Sequence, residues 1–214
     1  MDRNNICTKK ELAFYKKADY MMRCGKWKPS FITRIKEIIF PDRIYKYLVF
    51  MRKANYYSHF SPLSLGGGVK FIYYKWRYRK LGLKLGFSIG YKCFGYGLVI
   101  PHYGTIVVGE DNRCGNYCVL HTSICISGEK GGKQIGDALY ASSGCRINKP
   151  ITLGNYVQVC SNSVVNKSFE DDNVVLGGMP AVIKKYSVKP WYQGWEAEEW
   201  RNQVEKLKKQ LGLY

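Results

Sequence analysis

The 214-residue sequence predicts a mainly β protein, a three-sided parallel β-helix with an α-helical N-terminal extension and a C-terminal helix. Three observations predict this fold. Apolar residues recur at every sixth position through the middle of the chain, small residues follow most of them, and the flanking segments have helical spacing instead. We therefore divide the chain into a helical region at residues 1–85, a β-helix at 86–186 and a helical tail at 187–214.

The six-residue spacing indicates how the β-helix is wound. One short strand and one tight turn make a unit, three units close a triangular coil, and stacked coils pair as parallel sheets. The repeated apolar residue then points inward, and the small residue after it leaves room for the turn. The gap at residues 127–134 predicts a loop that projects and lines a binding surface. The repeated positions are Phe94, Ile100 and Ile106, then, after a two-residue slip, Val108, Cys114, Leu120 and Ile126, and after the gap Ile135, Ala141, Ile147, Leu153, Val159 and Val165.

Helical spacing of apolar residues marks both ends of the chain. In the N-terminal region we expect helices at residues 11–23, 31–40, 42–57 and 69–81. Thr8 is a candidate cap of the first helix, and Gly66-Gly67-Gly68 is expected to be a loop. At the other end, residues 195–212 predict a helix whose shared apolar face holds Trp200, Val204, Leu207 and Leu211.

Charge is unevenly placed. The formal net charge is +18, and residues 1–85 hold 20 of the 34 Lys and Arg but 5 of the 16 Asp and Glu. This excess indicates either an anionic partner or a solvated basic face. We expect no nucleic-acid partner, because no recognised binding motif accompanies the charge.

Targeting and cysteine patterns predict a cytoplasmic protein. The opening MDRNNICTKK has no apolar core of a signal peptide, and no stretch approaches the length of a membrane-spanning helix. The eight cysteines form no CxxC pair, so we expect reduced thiols and no metal site.

Three segments, together with the repeats, resemble the hexapeptide-repeat acyltransferases. They are IPHYGTIVVGE at 100–110, GEKGGKQIGD at 128–137 and VVNKSFEDDNVVLGGMPAVIKK at 164–185. The nearest branches are the serine acetyltransferases and the related O-acetyltransferases of bacterial surface polysaccharides. The resemblance covers about residues 86–186. It implies a left-handed coil, acetyl-CoA as co-substrate, a hydroxyl acceptor and a homotrimer with active sites between subunits.

The resemblance also implies roles for particular residues. His102 occupies the position of the general base, which takes the proton from the acceptor hydroxyl. Glu110 is the acidic residue nearest in sequence that would orient this imidazole. No acyl-enzyme is needed, so no cysteine serves as a nucleophile. The expected coenzyme A contacts are Ser142, Ser161, Asn166, Lys167 and Lys185.

Departures from the serine acetyltransferase pattern bear on the acceptor. Phe87 and Pro101 stand where those enzymes have carboxylates, and Lys133-Gln134 lies where a second histidine is expected. His121 would either assist His102 or serve as a turn residue. We therefore expect a sugar or a surface-polysaccharide precursor as acceptor. The alternatives are serine, in cysteine biosynthesis, and a non-catalytic scaffold or membrane-surface protein that uses residues 44–57 and 69–81 for weak membrane contact.

Overall fold

The computed structural model describes residues 4–28, 31, 39–61, 64 and 66–213. Most of the helix expected at 31–40 lies outside these residues. The N-terminal region contains helices α1 (Lys9–Cys24), α2 (Arg43–Tyr57) and α3 (Gly67–Leu85), and the tail contains α4 (Glu196–Gln210). In the described part of the chain, no helix combines the length and apolar character that crossing a bilayer requires.

Local hydrogen bonds explain where the N-terminal helices begin. Thr8 caps α1 as expected: its hydroxyl accepts from the Glu11 N–H at 3.0 Å, and the Glu11 carboxylate accepts from the Thr8 N–H at 2.7 Å. The expected loop at Gly66-Gly67-Gly68 is wrong for the last two glycines, which form the first turn of α3. Gly67 fits there because a Cβ would lie 2.4 Å from the Phe60 side chain.

The β-helix is built from thirteen short strands in the described chain. Sheet A contains β1 (Phe87–Ile89), β2 (Ile106–Val108), β5 (Ile124–Ile126), β8 (Arg146–Ile147) and β11 (Val164–Val165). Sheet B contains β3 (Arg113–Cys114), β6 (Gln134–Ile135) and β9 (Thr152–Leu153). Sheet C contains β4 (Val119–Leu120), β7 (Tyr140–Ala141), β10 (Gln158–Val159), β12 (Val175–Gly178) and β13 (Ala181–Lys185).

From β2 to β11, successive strands belong to sheets A, B and C in turn, and neighbouring coils pair in parallel. Among the strands that the structure describes, β13 alone runs antiparallel, against β12 at the C-terminal end of the coil. All the predicted repeat positions, from Phe94 to Val165, are buried inside the prism. The mainly β architecture with helical ends is therefore confirmed.

Small residues after the repeat positions are explained by close stacking of turns. A Cβ on Gly136 would lie 2.4 Å from the Gly154 carbonyl oxygen, and one on Gly154 would lie 2.6 Å from the Asp171 carbonyl oxygen. Because real Cβ atoms do not approach backbone this closely, a larger residue would force neighbouring coils apart.

The loop between β5 and β6 folds back on the coil instead of projecting from it. Lys133 of this loop is buried. Its ammonium donates to the Ser127 carbonyl oxygen at 2.9 Å and to the Ser127 hydroxyl at 3.0 Å. Gln134, which we assigned to the loop, begins β6.

Candidate active site

His102 lies at the edge where the chain passes from sheet C to sheet A, which we call the C–A corner. In the first coil the segment between the two sheets is two residues longer than in the second coil, because Val99 pairs with Val119 and Ile106 pairs with Ile124. The extra residues follow Pro101, so the register slip lies before Ile106 and not after it. His102 and Tyr103 are exposed there. The slip thus turns the imidazole outward.

The second coil brings another imidazole to the same corner. His121 is half-buried, and its Nε2 lies 2.8 Å from the Tyr140 hydroxyl oxygen. Burial lowers the pKa of His121, and the nearby charge of His102 lowers it further. Both effects favour the neutral form of His121.

A groove of about 850 Å³ begins at this corner. The outer side of sheet C forms one wall through Val99, Val119, Tyr140 and Gln158. The tail forms the other wall with three tryptophans, Trp191, Trp195 and Trp200.

Hydrogen bonds beside the groove help to hold the tail against the coil. The Trp191 indole N–H donates to the Tyr117 carbonyl oxygen at 2.7 Å, and the Gln158 amide donates to the Lys189 carbonyl oxygen at 2.9 Å. Among the lining residues, the formally charged ones are Lys189 and Glu196, which balance each other. The groove is thus aromatic, nearly neutral and fringed by amides.

The residues expected to bind coenzyme A do not lie together in one chain. Ser142 and Ser161 lie at the C–A corner, one and two coils beyond His121. Asn166 and Lys167 follow β11 at the next corner, between sheets A and B, and Lys185 ends β13.

Glu110 lies away from His102. The whole of β2 separates them, and three extended residues span about 10 Å. The Glu110 carboxylate instead faces helix α3 and its surroundings, where it helps to raise the pKa values of Tyr78 and Tyr91, both raised mainly by burial. Within one chain, the two side chains thus stand at different corners.

The sequence analysis missed Tyr140 and the tryptophan wall. A signal for the wall was present, because three of the five tryptophans fall within residues 191–200. Tyr140 gave no such signal: it sits beside a repeat position, and only stacking of the coils brings it to His121.

Two of the buried cysteines are poorly suited to act as nucleophiles. Burial raises the pKa of both Cys93 and Cys145 to about 12, so these thiols stay protonated at neutral pH. No group of three or more His, Cys, Asp or Glu in the described chain is arranged to hold a metal ion.

Comparison with known proteins identifies serine acetyltransferases as similar chains. The serine acetyltransferase of Synechococcus elongatus is 26% identical over 100 residues. The match covers 44% of this chain and 41% of that protein, so the chain aligns with less than half of the relative's length. No protein-family model matches the chain.

Solved structures extend the similarity to most of the chain. A serine acetyltransferase in complex with CoA has a TM-score of 0.59 at 15% identity, covering 81% of this chain and 69% of its own. The Neisseria gonorrhoeae serine acetyltransferase in complex with serine has a TM-score of 0.57 at 19% identity, covering 83% and 70%. In sequence and in fold, this chain resembles the serine acetyltransferases, which are built on the hexapeptide-repeat β-helix.

Proposed function

We propose that the protein is an acetyl-CoA-dependent O-acetyltransferase in which His102 is the general base. The observation that carries the proposal is the exposed imidazole at the register slip. His102 does not itself line the groove, but its neighbour Pro101 and His121 of the same corner do. The similarity to serine acetyltransferases, one of them solved with CoA, supports it.

The proposed reaction is a direct transfer. His102 takes the proton from the acceptor hydroxyl as the oxygen attacks the thioester carbonyl carbon. The C–S bond breaks, the acetyl group leaves as an ester of the acceptor, and the coenzyme A thiolate takes the proton back from the imidazolium. The neutral form of His121, which its lowered pKa favours, adds no positive charge that would repel a protonated His102.

The coenzyme A contacts lead to a proposal about assembly. Ser142 and Ser161 occupy one corner of the prism, while Asn166 and Lys167 occupy another. A coenzyme A molecule that contacts both sets fits best between two copies of the chain. We therefore propose a homotrimer, with the mass from light scattering at micromolar concentration as the test. A monomer would contradict it.

Serine is the acceptor that the comparisons support, and a sugar hydroxyl is the alternative that we propose to test against it. Serine is favoured by the similar proteins, one of which is solved with serine bound. A sugar hydroxyl is favoured by the groove, because the faces of Trp191 and Trp195 suit the C–H faces of a sugar ring and amides suit its hydroxyls. Serine is a small zwitterion, and the single opposed pair Lys189 and Glu196 lies in a groove much larger than serine.

The base is tested by thiol release from acetyl-CoA in the presence of either acceptor. His102→Ala should lower kcat by about 10²–10⁴-fold, the usual contribution of a general base. His59→Ala, an exposed histidine in the N-terminal region, is the matched control and should leave kcat unchanged. Retention of most activity in His102→Ala would remove His102 from the mechanism.

The acceptor is tested by comparing serine with nucleotide sugars and oligosaccharides. Trp195→Ala should raise the KM for a sugar acceptor about tenfold and leave the KM for acetyl-CoA unchanged. Efficient turnover with serine that is insensitive to Trp195→Ala would instead assign the protein to serine acetylation.

A further inference from the structure

A second surface of the molecule has the composition of an interfacial anchor. The outward side of helix α3 presents five large residues to solvent, which we call the α3 face: Val69, Ile72, Tyr73, Trp76 and Leu83. Leu83 is 85% exposed, Ile72 62% and Trp76 53%. Leucine, isoleucine and tryptophan recurring along one exposed helix side do not contribute to the core of this chain.

The opposite side of α3 explains why the helix holds its position without this face. Tyr78 and Leu85 are buried, and Tyr78 packs against Tyr47 of α2, with ring centroids 5.8 Å apart. Residues 44–57, where membrane contact was also expected, expose less apolar surface, because Tyr47, Leu48 and Met51 of α2 are fully buried. Of the two helices α2 and α3, it is α3 that keeps an exposed apolar side.

The charges that helix α3 itself carries are all of one sign. Helix α3 contains six Lys and Arg and no Asp or Glu. Its neighbour α2 adds Arg43 and Lys46, which line a shallow groove together with Trp76, Lys80 and Lys84. The Lys80 ammonium lies 4.9 Å from the centre of the Trp76 ring. Cations thus surround apolar side chains that point outward.

An anionic bilayer surface matches both properties at once. Its acyl boundary accepts leucine, isoleucine and the tryptophan ring, and its phosphate headgroups accept the cations. A nucleic acid would use the cations but would leave Leu83 and Ile72 in water. A second copy of this chain would bring six like charges against six.

The position of α3 connects this surface with the C–A corner. The helix ends at Gly86, and the Gly104 N–H donates to the Leu85 carbonyl oxygen at 2.9 Å. Gly104 is two residues after His102. A bilayer that touches Leu83 therefore lies next to the segment that carries the imidazole.

We propose that the α3 face docks the protein on the surface of an anionic phospholipid bilayer, with the His102 edge turned towards the headgroups. The docking goes beyond the proposed acetyl transfer and does not depend on it. Binding uses apolar insertion and headgroup attraction together, so it requires both parts of the surface.

The test is flotation of the full-length protein with vesicles. Vesicles of phosphatidylcholine with phosphatidylglycerol should bind the protein, and vesicles of phosphatidylcholine alone should bind it at least about tenfold more weakly. Leu83→Ser should weaken binding to the anionic vesicles about tenfold, the loss expected for one inserted leucine. The double variant Lys80→Glu, Lys84→Glu should weaken it by at least about tenfold.

Met179→Ser is the matched control, since Met179 is also exposed but lies in the β12–β13 turn. It should bind like the unaltered protein. If Leu83→Ser bound the anionic vesicles as well as the unaltered protein does, the proposal would be overturned. It would also be overturned if the protein bound no vesicles but bound a DNA duplex, and Leu83→Ser bound that duplex equally well. Self-association abolished by Leu83→Ser, without vesicle binding, would assign the face to a second copy. Thiol release from acetyl-CoA is also measured without vesicles. It reports acetyl transfer independently of docking, so a failure of one proposal can be told from a failure of the other.

Discussion

Single side chains fasten each coil to the next at the corner between sheets B and C. The side-chain oxygens of Asn116, Asp137, Asn155 and Asp172 form a ladder, each accepting from a backbone N–H of the coil before it. For Asp137, the donor is the Asn116 N–H at 2.8 Å, and for Asn155 it is the Asp137 N–H at 2.9 Å. The ladder satisfies donors that turn away from the sheets.

Removing one rung of this ladder should destabilise the fold. In Asp137→Ala the half-buried Asn116 N–H loses its acceptor, so we expect a loss of about 1–3 kcal/mol in the free energy of unfolding. Urea denaturation measures the loss. Asp171→Ala removes an exposed carboxylate near the same corner and should change stability by less than about 0.5 kcal/mol. If the two variants lost the same free energy of unfolding, the hydrogen bond from the Asn116 N–H to Asp137 would not stabilise the fold.

The pKa of His121 at the C–A corner should depend on its neighbour His102. Burial lowers the pKa of His121 first, and the His102 charge adds to it. Because the folded-state pKa lies below the unfolded value of about 6.5, His121 stabilises the fold above that pH and loses this contribution as the pH falls.

The variant His102→Ala removes one of the two causes that lower the pKa of His121, the nearby charge of His102. We expect the pKa of His121 to rise in this variant, while burial still keeps it below the ordinary value. Imidazole proton shifts in an NMR titration report it directly. An unchanged pKa of His121 would mean that the two rings do not interact.

At the scale of elements, a buried ion pair joins two helices to the first coil. Arg52 of α2 donates to the Asp19 carboxylate of α1 at 2.8 Å and to the Phe94 and Gly95 carbonyl oxygens at 2.7 and 2.6 Å. Asp19 also accepts from the Leu98 N–H at 3.0 Å. Both side chains are fully buried, so the pair is compensated by neighbours and not by water.

Breaking this pair should cost more than removing a surface charge. Arg52→Met leaves the Asp19 carboxylate buried without its cation, and we expect a loss of about 3–5 kcal/mol in the free energy of unfolding. Adding Asp19→Leu should recover part of the loss. Arg79→Met, on the exposed side of α3, is the control and should be within about 0.5 kcal/mol of the parent protein. A double variant no more stable than Arg52→Met would argue against an uncompensated charge.

Helix α4 is tied to the coil by hydroxyl groups. Tyr96 and Tyr117 both donate to the Glu205 carboxylate. Burial raises the pKa values of these tyrosines, and the Glu205 charge raises them further. The folded state therefore holds these protons more tightly than the unfolded state, whose tyrosines titrate near about pH 10.

The consequence is a loss of stability at alkaline pH. Below about pH 10 the stabilisation is complete, and it falls as the pH rises above that value because only unfolded tyrosines release protons. Tyr117→Phe should cost about 1.5–3 kcal/mol at neutral pH and flatten the alkaline decline. Guanidinium denaturation across this range checks both, and an unchanged slope in Tyr117→Phe would contradict the assignment.

At the scale of the whole molecule, one apolar core spans the helices and the coil. The same cluster of buried side chains runs from Ile44 in α2, through Leu85 in α3, to Leu176 in the last coil. A second cluster joins α1 and α4 to the outside of the coil. Neither the helical region nor the coil has a separate core.

A shared core predicts a single cooperative unfolding transition. Helical signal in far-UV circular dichroism and tryptophan fluorescence should be lost together in urea at a fixed protein concentration. Loss of the helical signal at clearly lower urea concentration would show that the N-terminal helices unfold independently of the coil.

The candidate site could be foreseen only in part from the sequence. His102 was found because a local motif carries the resemblance, and its outward orientation followed from an interrupted repeat. Tyr140 could not be assigned, since its partner His121 lies nineteen positions away and meets it only through the coil stacking. The location of Trp195 depended on the path of the tail over sheet C.

The sequence by itself determined the coil, its buried positions and the helices at both ends. The six-residue period and a cap such as Thr8 act between residues that are close together along the chain, so the sequence pattern shows them directly. Tertiary structure alone decided which side chains share a corner, which side of α3 stays uncovered and which wall closes the groove. These depend on how separate elements pack, and packing joins residues whose distance along the chain carries no information about their distance in space.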